Sequence, residues 1–224
     1  MSDFRYFWRN AVVAPWLLAL LIGLPAVTSA AELAVRVLDR DGYPVPNVAV
    51  YVDFAGDEGW MADSKTAVMD QVEQRFVPHL LVVQKGTQVQ FPNSDEIAHH
   101  VYSFSKPNDF KLPLYKGDAH PPVSFDVEGF ATLGCNIHDQ MLAYILVVDS
   151  DVFGKTDVDG NVRLDLGGRT PESVSIWSPR INLRKEALTI AVAADAPKLL
   201  TFRLQSKLRS PHGEKQQSLK WADY

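Results

Sequence analysis

An all-β fold is what this sequence predicts, on three observations. Apolar residues recur at every second position in short runs, as in "NVAVYVDFA" (Val48, Val50, Val52, Phe54) and "NVRLDL" (Val162, Leu164, Leu166). That is the period of a strand with one buried face. Clusters of Gly, Pro, Asp and Asn break the runs at "DRDGYPVPN", "QKGTQ", "FPNSDE", "TDVDGN" and "LGGRTPES", all residue types that accept turn geometry. Helical periodicity is nearly missing beyond residue 30, and many short strands so spaced mark sandwiches and small barrels.

The first segment stands apart. Arg5 and Arg9 precede the apolar run "AVVAPWLLALLIGLPAV", which closes on the small residues of "TSAAE". This is the layout of a secretory signal over residues 1–30, cut near Ala30, and it predicts a periplasmic protein. A membrane anchor is the competing reading. It needs about twenty uninterrupted apolar residues, and this run is shorter and holds Pro15 and Pro25, so no stable span is expected after cleavage. The formal charge of −5 becomes −6 when Arg5, Arg9 and Asp3 leave with that segment, and an acidic chain does not predict nucleic acid as a partner. With 46% hydrophobic and 22% charged residues over 224 positions, the chain has material for one large core or two small ones.

The central segment carries the chemistry. Cys135 is the only cysteine, so an exported chain has no internal disulfide and carries a thiol open to oxidation. A buried inert thiol is the ordinary fate of a free cysteine. Here, however, "LGCNIHDQM" places His138 and Met141 after Cys135 at three-residue steps. Thiolate and thioether suit soft metals, imidazole suits zinc, copper, iron or nickel, and a His2Cys set with a weak axial Met describes a blue-copper electron-transfer site. The second histidine must come from another strand, and "FPNSDEIAHHVYSF" offers His99 and His100; ligand chemistry alone accepts either. Zinc is the rival metal, but structural zinc favours four Cys and His ligands in paired spacing. Taken singly, Met141 reads as core filling. His79 in "FVPHLLVV" reads as a satisfied structural histidine, and His120 and His212 as solvated loop residues.

"VQKGTQVQFPNSDEIAHHVYSF" followed by "FDVEGFATLGCNIHDQMLAYILVVD" resembles the cupredoxins, the plastocyanin and amicyanin family of blue-copper proteins. It is similar, within that family, to an exported group named for methylamine utilisation. The likeness covers about residues 68 to 149: a V-x-x-G-x-x-V-x-F-x-N run ending at Asn93, Gly129 six residues before Cys135, and a short Cys-x2-His-x2-Met loop. It implies a Greek-key β-sandwich binding one type 1 copper ion through His99, Cys135, His138 and Met141. His99 is preferred because it stands eight residues after Phe91 and two before Val101, as the ligand does in plastocyanin-like strands. Family members carry Asn where His100 stands, so His100, with Asn93, is placed beside the ligands or as an alternative ligand. The roles implied are Cys135 as the short covalent ligand, His99 as the buried one, Met141 as the axial tuner and His138 as the electron exit, with Pro92 and Leu142 in a docking patch.

The outer segments are more than a cupredoxin needs. "LAVRVLDRDGYPVPNVAVYVDF" and "KTDVDGNVRLDLGG" resemble successive strand pairs of the carboxypeptidase-regulatory or Cna-B type of Ig-like sandwich. The resemblance implies a second β-sandwich made of residues 33–56 plus 152–206, into which a cupredoxin domain, 66–149, is inserted; the alternative packs those strands beside it. Residues 207–224 read as a mobile polar tail. The function expected is a periplasmic one-electron carrier, not an enzyme, that meets unidentified redox partner proteins. Copper delivery without a redox role is the alternative, although Met61, Met69 and Met141 are scattered. An oxidase or reductase would need further paired histidines.

Overall fold

The computed structural model describes residues 32–56, 65–117, 120–181, 187–192, 199–205 and 207–209. The expected signal segment, Met61, His212 and the expected tail beyond 209 lie outside the described residues. Those described form strands, turns and loops with no helix. In chain order the strands are β1 (Glu32–Leu38), β2 (Ala49–Phe54), β3 (Thr66–Val68), β4 (Asp70–Val72), β5 (Arg75–Val77), β6 (Leu80–Gln84), β7 (Thr87–Gln90), β8 (His99–Ser103) and β9 (Phe110–Tyr115). After them come β10 (Val123–Phe125), β11 (Gly129–Gly134), β12 (Leu142–Val148), β13 (Phe153–Lys155), β14 (Asn161–Asp165), β15 (Pro171–Trp177), β16 (Leu188–Ala191) and β17 (Leu199–Arg203).

Strand pairing follows the sequence in two sets. The first and last strands form the sheets β14-β1-β17 and β13-β2-β15-β16, while β3 to β12 pair only with one another among the described residues, as β10-β7-β3, β6-β12-β11-β8-β9 and the hairpin β4-β5. Alternation explains the outer set. Leu33, Val35 and Val37 of β1 and Val50 and Val52 of β2 point into one core with Val174, Ile176 and Phe202, while Glu32 and Arg36 face solvent. The middle set encloses a second core of Met69, Phe76, Val89, Val101, Phe125, Leu133 and Ile145.

The sequence "LAYILVV" of β12 is apolar at every position because both of its faces are covered. Ala143, Ile145 and Val147 enter the middle core. Tyr144, Leu146 and Val148 instead meet Leu80, Ala49 and Trp177 in a seam between the two sets of sheets. Trp177 is 3% exposed, its ring 5.6 Å from Phe130 and 6.2 Å from Tyr144. Burying a large apolar side chain is worth about 1.5–3 kcal/mol, so the seam binds the two sets of sheets along β12. Lys155 crosses it to donate from Nζ to the Leu80 carbonyl at 2.8 Å, and burial pushes its ammonium pKa down.

Three residues of the expected tail are described, and two of them dock. Leu208 packs on the outer core, and the Arg209 N–H donates to the Arg180 carbonyl at 2.9 Å. His120, expected in solvent, is half-buried with its ring 4.6 Å from that of Tyr115. His79 stacks edge-on to Tyr144 at 5.6 Å.

Candidate metal centre

The β11–β12 hairpin builds most of the site. Its last ladder pair is Gly134 with Leu142, so Cys135 and Met141 flank the mouth of the loop on the face that Leu133 and Ala143 occupy one step back. That face is interior: Cys135 is 4% and Met141 2% exposed, both within the middle core. The Met141 N–H donates to the His138 carbonyl at 3.0 Å, which closes the loop and folds His138 back over Cys135. Gly134 must be small because Tyr102, from the neighbouring strand β8, lies across it; a Cβ there would stand 2.8 Å from the ring.

β8 supplies the remaining histidine. Its burial alternates so that His99, Val101 and Ser103 point inward and His100 and Tyr102 outward. His99 is fully buried, with Nδ1 3.1 Å from His138 Nδ1 and 4.0 Å from Cys135 Sγ; Cys135 Sγ and His138 Nδ1 are 3.8 Å apart. Three potential donors therefore converge. The point equidistant from them, the circumcentre of that triangle, lies about 2.1 Å from each, within the roughly 2.0–2.3 Å at which His nitrogen and Cys sulfur hold zinc. The donor set and its spacing fit one first-row metal ion.

His99 Nε2 is 2.7 Å from Asp95 Oδ2. An ionised carboxylate only accepts, so the network assigns the proton to Nε2 and leaves Nδ1 with a free lone pair aimed at the other two donors. Asp95 also accepts from the Glu73 N–H at 2.5 Å on Oδ1 and the Gln74 N–H at 2.8 Å on Oδ2. Burial pushes its carboxyl pKa up, but the Gln74 N–H, His99 and the Glu73 N–H more than reverse this and hold it below the ordinary value.

The other residues singled out from sequence sit around this core. Asn93 is buried, its amide donating to the Ile97 and Tyr115 carbonyls at 2.9 and 3.0 Å and its Oδ1 accepting from the Asp95 N–H at 3.0 Å. Both ends of that side chain are spent on backbone, so Asn93 shapes the loop that carries Asp95. His100 is half-buried on the opposite face from His99, and its Nδ1 is buried with no hydrogen-bond partner among the described residues. Pro92 and Leu142 are half-buried, and Ile137, beside His138, is 53% exposed. Asp95 and the Glu73–Gln74 turn are absent from the sequence reading. The one signal for Asp95 was its position four residues before His99, inside "FPNSDE", which reads as turn punctuation.

No protein-family model and no curated protein matches the chain. Solved structures do resemble part of it. A Cu-containing nitrite reductase from Thermus scotoductus SA-01 aligns at 22% identity over 43% of this chain and 25% of its own, with a TM-score of 0.35. A reduced amicyanin variant aligns at 22% identity over 44% of this chain and 98% of its own, also at 0.35. The Cu(I) form of another amicyanin variant at pH 4 aligns at 22% over 40% and 87%, at 0.34. The chain thus spans about a quarter of the nitrite reductase. These are distant, partial likenesses.

Proposed function

We propose that the protein is an exported type 1 copper protein that carries single electrons between partner proteins in the periplasm, after loss of residues 1–30. The observation that carries this reading is the convergence of two imidazole nitrogens and one thiol sulfur around a point at bonding distance from all three. His99 Nδ1, Cys135 Sγ and His138 Nδ1 would hold the ion, with Met141, at the loop's other foot, as a weak fourth donor. Copper in such a set supplies a one-electron couple with little rearrangement between its two states. The chain's own part is to hold the donors on a hairpin mouth and a buried strand, and to exclude water. His138, half-buried next to the exposed Ile137, is where electrons enter and leave. Residues 66–149 would form the copper domain, and 33–56 with 152–206 the sandwich that carries it.

Stoichiometry tests the assignment. Equilibrium dialysis against Cu(II) is expected to load one ion per chain. His99→Ala abolishes uptake and His100→Ala retains it, because the pleat sends His100 away from the other donors. Interchanged results would place the ligand one residue later.

A further inference from the structure

Resting on the copper reading above, we propose that Asp95 is a positioning residue of this centre, held against His99 Nε2 by the Glu73–Gln74 turn, and that its charge sets the preference for the oxidised metal. Glu73 and Gln74 are consecutive non-glycine residues at φ 51° and 58°, between the two strands of the β4–β5 hairpin. A two-residue hairpin turn of this kind ordinarily uses Asn-Gly or Asp-Gly, because the left-handed region costs other L-residues energy. "VEQR" offers no glycine. Strain of this kind persists where the surroundings over-determine it, and it gathers at functional sites.

Here the surroundings are a carboxylate. The two turn N–H groups converge on Asp95, one per oxygen, forming an anion-binding concavity of successive backbone donors. The Asp95 loop is tied to the same hairpin twice more. Ser94 Oγ donates to Asp70 Oδ2 at 2.8 Å, and the Ser94 N–H donates to the Gln71 carbonyl at 3.0 Å. The result is a relay: the turn fixes the carboxylate, the carboxylate fixes the ring and tautomer of a histidine with no solvent exposure, and that histidine presents Nδ1 to the centre. Carboxylate–histidine–metal relays orient the ligand and raise its basicity. A negative charge one imidazole away favours the more positive metal state, which lowers the reduction potential.

Two measurements test this. In the metal-free wild type, 15N-detected NMR of His99 should show the Nε2–H tautomer, and Asp95→Ala should lose that preference; a wild-type Nδ1–H tautomer overturns the proposal. With copper, Asp95→Asn is the informative variant, since an amide oxygen can still accept at the Oδ2 position while the charge is gone. It should keep the thiolate–copper colour, raise the reduction potential and weaken Cu(II) affinity about 10- to 100-fold. Unchanged potential and affinity would reduce Asp95 to a loop fastener. If the wild type takes up no copper, the copper reading fails, while the NMR result still decides whether Asp95 sets His99.

Discussion

His99 and His100 are neighbours in sequence and strangers in space, because the pleat of β8 sends one into the middle core and the other to the opposite face. The same alternation carries Cys135 and Met141 inward with Leu133 and Ala143. Met141 therefore lies on the interior face beside Cys135, and the donor role proposed for its thioether is separable from packing. Met141→Leu should leave a blue-copper spectrum and raise the reduction potential, since losing a weak sulfur donor destabilises Cu(II) more than Cu(I). Met141→Gln should lower it by offering a harder oxygen. Leu has a similar volume to Met, so three equal potentials in voltammetry would mean that Met141 only fills space. At this scale Cys135 and His138 were legible because their spacing sits on one loop. Asp95 was not: its meaning comes from two N–H groups of a turn more than twenty residues upstream, donated by backbone that any sequence possesses.

The element that most constrains the site is the β11–β12 hairpin, and its tightest point is Gly134. The Tyr102 ring occupies the space a side chain would need, with its Oη and Cζ 2.8 Å from a notional Cβ. Gly134→Ala should destabilise the metal-free protein by about 1–3 kcal/mol, the usual cost of overpacking, and Gly134→Ala combined with Tyr102→Ala should recover part of that. Denaturant unfolding of the wild type and both variants measures it. A fully tolerated Gly134→Ala would mean that the ring moves aside freely and does not brace the end of β11 that leads into Cys135. The sequence showed a glycine before Cys135 but gave it no reason, because the reason lies on β8. The β4–β5 hairpin went unread for a related cause: its Glu-Gln turn lacks the glycine that marks such turns in sequence.

Across the whole molecule, the all-β architecture was legible from alternation and turn spacing. The seam was not, because nothing in "LAYILVV" says what covers its second face. His79 stacks on Tyr144 in that layer. Burial, the largest influence on it, pushes its pKa below the ordinary value, against a raising hydrogen bond at Leu142 and with a lowering contribution from Lys155. The folded state thus holds His79 neutral where the unfolded chain, with a pKa of about 6.5, begins to bind a proton. Its contribution to stability is complete above that pH and is lost as pH falls towards the depressed folded value. Unfolding the metal-free protein at pH values on both sides of about 6.5 should show stability rising with pH, with a shallower slope for His79→Asn. An identical slope in the variant would assign the pH dependence elsewhere.

The central claim, that His99, Cys135 and His138 hold one copper ion with Cys135 as its thiolate ligand, is tested most directly by the visible spectrum of the mature protein after stoichiometric Cu(II). An intense thiolate-to-copper charge-transfer band is predicted in the wild type, and its complete loss in Cys135→Ser. A colourless wild type, or a band that survives in Cys135→Ser, would contradict it.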